Sequence, residues 1–450
     1  MNKTPRNHNP IDAARVAAAR ECIEQILTNA VIPFWTRNAR DDIHGGYRLH
    51  HDLRGKCKGP APKALVTQAR TLWFFSRLLN TPYGTAEHLD LARRGFTFLM
   101  NRMHDADYGG FYWETSFDGT PTGSAKHLYG QAFALFAIAE YASVSRDGEA
   151  YDAARELFRL LETHGHDSQY GGYVECFQRD WAHPDEGNRF LPVSPPAKSM
   201  NTHLHLLESF TRYYELTQDQ AAATRIMELI GILSSAVVRK QLGACTNAHN
   251  RDWSPAEERR FWRISFGHDI ESGWLLLRAG RAIGVPIAPF VDLFRSFADY
   301  ALEFGFDRRN GGFYHTGVAN KRADDRRKVW WVQAEALLGM LELFRATGAA
   351  KYYDAFEKTL GWIARRQTDR RGGDWFAEID RLGRARGDKA GPWKGPYHNG
   401  RALIECLDAG ALPYLAREGA PAVSRNRPLG FRATTATKAQ GDVTPSQHDE

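Results

Sequence analysis

The chain has 450 residues, 43% of them hydrophobic and 25% charged, which is close to the globular average and enough apolar surface for a packed core. Its net charge of +6 is scattered, and the densest basic run, Arg322 to Lys328, is broken by Asp324 and Asp325, so a nucleic-acid-binding arm is not expected. Five cysteines (Cys22, Cys57, Cys176, Cys245, Cys406) form no CxxC pair, and no apolar run reaches the roughly eighteen residues of a bilayer span, so neither a zinc or disulfide framework nor a membrane anchor is expected, and the natural class is a cytoplasmic enzyme.

In chain order, residues 1–10 are polar and read as a disordered tail. Apolar residues then recur at three- and four-residue spacing, as in Leu128, Ala132, Leu135, Phe136 and Ala139, which is helical periodicity. Twelve helices follow from it: 11–31, 63–80, 85–103, 126–145, 148–164, 198–217, 219–239, 268–283, 286–305, 327–347, 350–367 and 396–411. Residues 417–450 mix Pro, Gly, Ser, Thr and Arg without periodicity and read as a second disordered tail. The span 11–416 is expected to be a single catalytic domain.

An Asp followed by a Gly-Gly-aromatic turn punctuates the helices. It appears at Asp42 with Gly45-Gly46-Tyr47, Asp107 with Gly109-Gly110-Phe111, Asp167 with Gly171-Gly172-Tyr173, Asp307 with Gly311-Gly312-Phe313, and Asp369 with Gly372-Gly373-Asp374-Trp375. The intervals between second glycines are 64, 62, 140 and 61 residues, so one degenerate copy is expected near Gly243. Paired glycines supply positive φ, Asp closes an Asx-type turn, and the aromatic starts a short strand. Six helical hairpins with a period near 65 close naturally into a double ring. The expected fold is therefore all-α, an (α/α)6 barrel with short β-hairpins or strands in the loops at one rim, the rim where function concentrates.

Near their N-terminal ends the even-numbered helices carry residues that a plain core would not use. These are Arg70; His127 and Tyr129; Asn201, His203, His205 and Glu208; His268, Glu271 and Trp274; Trp330, Trp331 and Glu335; and Tyr397, His398 and Arg401. Residues three or four apart share a helix face, so His205 with Glu208 and His268 with Glu271 each point one way. A single such histidine is more often a hydrogen-bonded core residue than a catalyst, but six stations in register predict one shared polar pocket. Trp393 and one of the adjacent pair Trp330 and Trp331 suit stacking on a pyranose ring, which favours a carbohydrate ligand.

The motifs Met200-Asn-Thr-His-Leu-His205-Leu-Leu-Glu208, Gly267-His268-Asp-Ile-Glu271-Ser-Gly-Trp274, Trp330-Trp331-Val-Gln-Ala-Glu335 and Gly391-Pro-Trp393-Lys-Gly-Pro-Tyr397-His398-Asn-Gly-Arg401 resemble the N-acylglucosamine 2-epimerase family, most closely its cellobiose and mannose 2-epimerase branch. The resemblance spans about residues 20 to 415. It implies an (α/α)6 barrel, acid/base histidines at His268 and His398, and a catalytic set completed by His205, Arg70 and Glu271. It further implies that Trp393 and one of Trp330 and Trp331 stack on sugar; with the polar stations of the shared pocket, the expected substrate-binding residues are Asn201, Tyr129, Trp330, Trp331, Trp393, Glu335 and Glu208. No cofactor and no metal are expected, since there is no Gly-rich dinucleotide fingerprint and the histidines sit beside Arg70 and Arg401, which oppose a cation.

The expected chemistry starts with ring opening, after which one histidine removes the proton beside the carbonyl and Arg70 stabilises the enediol(ate). Glu271, one turn from His268, is expected to fix that histidine's tautomer. Protonation from the opposite face gives the 2-epimer, and protonation at the terminal carbon gives a ketose. The expected partner is a small sugar, with no nucleic acid or membrane, and the assembly is a monomer or a homodimer. Rival readings are an aldose-ketose isomerase, a two-carboxylate glycoside hydrolase using Glu208, Glu271 and Glu335, and a sugar-binding module without turnover.

Overall fold

A computed structural model describes residues 11–183, 198–256 and 263–408; the tails expected at 1–10 and 417–450 lie outside them. Twelve helical segments alternate between two concentric rings. The first, α1, runs from Ala13–Ile26 through a π turn at Leu27–Val31 into Ile32–Asn38. Next come α2 (Leu65–Leu78), α3 (Ala86–Phe98, extended by Leu99–Met103), α4 (Leu128–Ser145) and α5 (Gly148–Leu160, extended by Leu161–Gly165). The remainder are α6 (Met200–Thr217), α7 (Gln220–Ser234), α8 (Phe266–Ala282), α9 (Ala288–Phe304), α10 (Trp330–Thr347), α11 (Ala350–Trp362, extended by Ile363–Gln367) and α12 (Tyr397–Leu407).

The even helices make the inner ring and the odd helices the outer one. α4 shows why: every residue from Leu128 to Ala142 is buried, as a helix packed on all sides requires, whereas α5 buries only the stripe Ala150, Ala154, Leu157, Phe158 and Leu160. Each inner helix packs on the next, α12 packs on both α2 and α1, and the ring thereby closes rather than extending as a solenoid. Left-handed residues end α4, α6 and α10 at Arg146, Gln218 and Gly348 and reverse the chain into its outer partner within a few residues.

The opposite rim is stitched by two-residue strands. Lys63–Ala64 pairs with Glu114–Thr115, Lys126–His127 with Cys176–Phe177, Lys198–Ser199 with Ala248–His249, Ile264–Ser265 with Thr316–Gly317, and Lys328–Val329 with Glu378–Ile379. The first strand of each pair leads directly into an inner helix, so the pairing fixes where that helix begins.

Beneath four of the five strand pairs lies a buried lock that sequence reasoning did not anticipate. Lys63 Nζ donates to Asp41 (2.8 Å) and to the Gly45 carbonyl (2.6 Å), and Lys328 Nζ donates to Asp307 (2.8 Å) and the Gly311 carbonyl (2.5 Å). Lys126 pairs with Asp105 at 2.7 Å and Lys198 with Asp167 at 2.9 Å. The same aspartates close the turns by accepting two backbone N–H groups each, as Asp105 does from Asp107 and Tyr108. The turn-closing residues in the first two copies are thus Asp41 and Asp105, not the expected Asp42 and Asp107. Gln68, Gln131 and Gln333 then hold the aromatic residue after the glycines by both its N–H and C=O. Gly46 needs φ of +62°, and a Cβ there would meet Phe98 and the Gln68 side chain at under 3 Å.

The degenerate copy falls where the spacing put it. Val238–Arg239 pairs with Ala244–Cys245 around Gly243, whose φ is +65°. Helix α7 consequently stops at Ser234 rather than running to 239. With Ile264 at the lysine position no lock forms, and Asp269 takes the place of the glutamine, accepting from the Cys245 N–H at 3.0 Å.

Candidate active site

A cavity of about 220 Å³ opens among the N-terminal ends of the inner helices, lined by Arg70, Tyr129, His205, His268, Glu271, Trp330, Trp331, Trp393 and His398. Nine of the twelve residues expected from sequence therefore converge on it. His268 and His398 stand in the first turns of α8 and α12, and Trp331 in the first turn of α10. The Trp331 ring lies 4.6 Å from His268 and 6.0 Å from His398, centroid to centroid, so both histidines face the same indole. Both tryptophans of the adjacent pair reach the cavity, where one had been expected. Trp393, 41% exposed, forms its mouth.

The remaining three expected residues lie elsewhere. Glu335 accepts from His398 Nδ1 at 2.6 Å, from Trp274 Nε1 at 3.0 Å and from Arg401 Nη2 at 2.6 Å. Glu208 bonds His205 Nδ1 at 3.0 Å, accepts the Tyr397 hydroxyl at 2.5 Å and pairs with Arg401. These two carboxylates hold the histidines from behind instead of lining the cavity. Asn201, beside Tyr129, does not line it either; its backbone N–H donates to Asn247 Oδ1 at 3.3 Å.

Glu271 does line the cavity, but it does not orient His268. Its carboxylate accepts from Arg401 Nη2 at 3.0 Å, and among the described residues His268 has no hydrogen-bond partner. The reason is geometric: Arg401, fully buried, sits at the centre of Glu208, Glu271 and Glu335 and draws all three carboxylates toward itself. Arg401 is the residue that sequence reasoning underweighted. The signal was present, since it stands seven residues after Lys394, as Arg70, His205, Glu271 and Glu335 stand seven after Lys63, Lys198, Ile264 and Lys328.

His203, the extra histidine, is structural. It occupies the glutamine position of the lock, bonding the Ser199 carbonyl through Nδ1 (2.7 Å) and accepting the Tyr173 N–H at Nε2 (2.9 Å).

Burial sets the protonation of the site. It lowers His268 to about 3, helped by the nearby His205 and His315, and it holds His398 well below the ordinary imidazole range, helped by the charges of Arg70 and Arg401. Burial also lowers His205, against the pull of Glu208. For Glu208 burial works upward but is outweighed by Arg401 and His205, which bring it to about 2. Glu271 is raised well above the carboxylate range by burial and by its neighbour Glu335. At neutral pH the site therefore holds neutral imidazoles able to accept a proton and a fixed Arg401–Glu208 pair, while burial and the neighbouring Glu335 push Glu271 toward its protonated form. Arg70 approaches from the other side, donating to the Tyr129 hydroxyl at 2.9 Å and to the Trp393 carbonyl at 3.2 Å, with its guanidinium 4.1 Å from the Phe133 ring centroid.

Glu271, Glu335 and His398 have ligand atoms close enough together to hold a metal ion. The Arg401 guanidinium bonds both of those carboxylates, so a cation there would face a permanent positive charge.

Residues 45–402 match the family model of N-acylglucosamine 2-epimerase (GlcNAc 2-epimerase). A cellobiose 2-epimerase of Ruminococcus albus is 32% identical over 394 residues, covering 86% of this chain and 98% of that protein. The solved structure of cellobiose 2-epimerase from Spirochaeta thermophila superposes with a TM-score of 0.80 at 32% identity, covering 88% of this chain and 98% of the other. A D-mannose isomerase of Marinomonas mediterranea is 24% identical over 382 residues, 81% of this chain and 92% of that protein.

Proposed function

We propose, for a chain that belongs to the N-acylglucosamine 2-epimerase family, that this cavity binds the reducing end of a free aldose and inverts the carbon beside its carbonyl. Membership makes the chain a sugar 2-epimerase, an enzyme of the isomerase class. The observation that carries the residue assignments is the pair His268 and His398, two neutral bases on different helices beside one indole ring.

In this reading the open-chain aldehyde lies between the two histidines, with Arg70 and Glu271 near its oxygens. One imidazole takes the proton from C2, giving an enediolate whose charge the Arg70 fork and the Glu271 hydrogen bond stabilise. The other imidazole returns a proton to the opposite face. Glu335 supports His398 by accepting its Nδ1–H, which stabilises the imidazolium when that base is charged. Asn201 and Glu208 contribute by placing Tyr129 and His205 rather than by touching sugar.

A β-1,4-linked glucose disaccharide is the substrate favoured. The cavity accommodates the reacting ring, and Trp393 at its mouth, 6.4 Å from the Trp113 ring, offers an exposed face on which a second ring stacks. Relatives carrying the name cellobiose 2-epimerase at 31–32% identity support the same choice. The free cysteines suit a reducing, cytoplasmic compartment, and among the described residues no helix is long and apolar enough to cross a membrane.

Incubation with cellobiose in heavy water, without added cofactor, is expected to give the 2-epimer with deuterium at C2. A ketose as the dominant early product would make the chain an aldose-ketose isomerase, the reading that the D-mannose isomerase relative favours; hydrolysis to glucose would replace both.

A further inference from the structure

Outside the active site, a two-lobed groove lies on the rim between the hairpin loops of the last two repeats. Its lobes measure about 1280 and 600 Å³ and share Asn310, Trp362 and Arg366 as a common wall. Its charges are unevenly satisfied. All four of its carboxylates are engaged: Asp307 by Lys328, Asp324 by Arg263, Asp325 by Arg327 and His315, and Asp380 by Arg384. Arg309, Arg322, Arg365, Arg366 and Arg381 have no carboxylate partner among the described residues, and the smaller lobe contains no acid.

The internal repeat acts as a control, because the same place is filled in two other copies. There the next hairpin folds down onto the lock. Arg179 grips Asp105 through Nε (3.0 Å) and Nη2 (2.9 Å) while Trp181 donates to the Tyr108 carbonyl, and Arg251 grips Asp167 in the same two-pronged way while Trp253 donates to the Tyr170 carbonyl. The hairpin at 380–383 closes with the equivalent hydrogen bond, Gly383 N–H to Asp380 C=O at 2.9 Å, matching Trp181 to Gln178 and Trp253 to Asn250. Arg381 thus stands where Arg179 and Arg251 stand, but it does not reach Asp307, and glycine replaces the tryptophan lid.

Asp307 is satisfied from within its own turn and by Lys328, leaving Arg381 without a partner. Trp362 covers the lock lysine from the outer helix, with Lys328 Nζ 3.5 Å from its ring centroid. Its indole N–H, buried with nine-tenths of the side chain, finds no acceptor.

We propose that this groove is a binding site for a small molecule bearing two or more phosphoryl groups, held by Arg309, Arg366 and Arg381. Arginine is the residue suited to this ligand, because its planar fork matches phosphate oxygens and stays charged at every working pH. Arg366, shared by both lobes, bridges two anionic groups.

The test is titration calorimetry of the full-length protein with pyrophosphate at low ionic strength. One pyrophosphate is expected to bind per chain, with affinity falling at least about tenfold in the Arg309→Ala/Arg366→Ala double variant, as loss of charge-assisted contacts requires. Arg159→Ala, an exposed arginine on α5 paired with Glu156, is expected to bind like wild type. Tighter binding of adenosine diphosphate than of pyrophosphate would identify an organic diphosphate, and equal binding an inorganic oxyanion. No binding to wild type, or equal binding by the double variant with its circular dichroism intact, would overturn the proposal.

Discussion

Glu335→Gln tests how much of the site's activity depends on the charge behind His398. The side chain keeps its size, and the amide oxygen still accepts from Trp274 or from His398. Arg401 keeps Glu208 and Glu271, so the buried guanidinium is not left unpaired and the variant is expected to fold. What disappears is the charge-assisted bond from His398 Nδ1 at 2.6 Å. A hydrogen bond to a charged partner contributes about 1.5–3 kcal/mol, which converts to a fall in kcat of roughly 10- to 150-fold. Since Glu335 does not line the cavity, KM is expected to move much less. Steady-state epimerisation of cellobiose, read by sugar chromatography beside a thermal melt, separates the two parameters from any loss of fold. A kcat within about twofold of wild type would refute the reasoning, because the carboxylate charge would then do nothing for His398 when it is protonated.

His268→Ala and His398→Ala are each expected to lower turnover by about 10²-fold or more, the usual loss of a general base; near-normal activity in either would sink the two-base assignment. Dialysis against EDTA is expected to leave activity unchanged, and loss restored by zinc or manganese would move Glu271, Glu335 and His398 to a metal site. Acid should unfold the protein early. Burial brings His127, His203 and His268 to about 3, below the value near 6.5 of the unfolded chain, so the native state binds fewer protons. That stability is complete above pH about 6.5 and is lost as pH falls toward 3, at about 2 kcal/mol for each histidine by pH 5. Native-state ring signals of these histidines titrating near 6.5 by nuclear magnetic resonance would contradict their burial.

The barrel was legible because two signals repeat at the same interval. Glycine pairs mark the turns, and apolar residues such as Leu128, Leu135 and Ala139 mark the helices between them. The meeting of nine site residues was legible from their common position near inner-helix starts. The partners were not. His268 with Glu271 and His398 with Arg401 share helix faces, yet Arg401 reaches across the barrel axis to three carboxylates, a contact between helices that no spacing along one helix encodes. The locks were missed for the opposite reason. Lys63, Lys126, Lys198 and Lys328 recur in the sequence, but a lysine is ordinarily a solvated residue, and only the pairing with a turn aspartate makes its burial tolerable.

Rim strands set the start of five inner helices and Pro396 caps the sixth, so all six direct their N-terminal ends at the reacting centre. Each such end carries about half a positive charge from its unpaired N–H groups. His268 and His398 sit within the first turn, where this field is strongest. The field disfavours an imidazolium in the resting enzyme and favours an anion in the cavity, so it acts in the same sense on both reaction partners: it keeps the bases neutral and lowers the energy of the enediolate. A carboxylate base at either position would be held as a stable, weakly basic anion and would repel that intermediate. The architecture of the barrel thus selects imidazole for the base before any side chain near the substrate is considered.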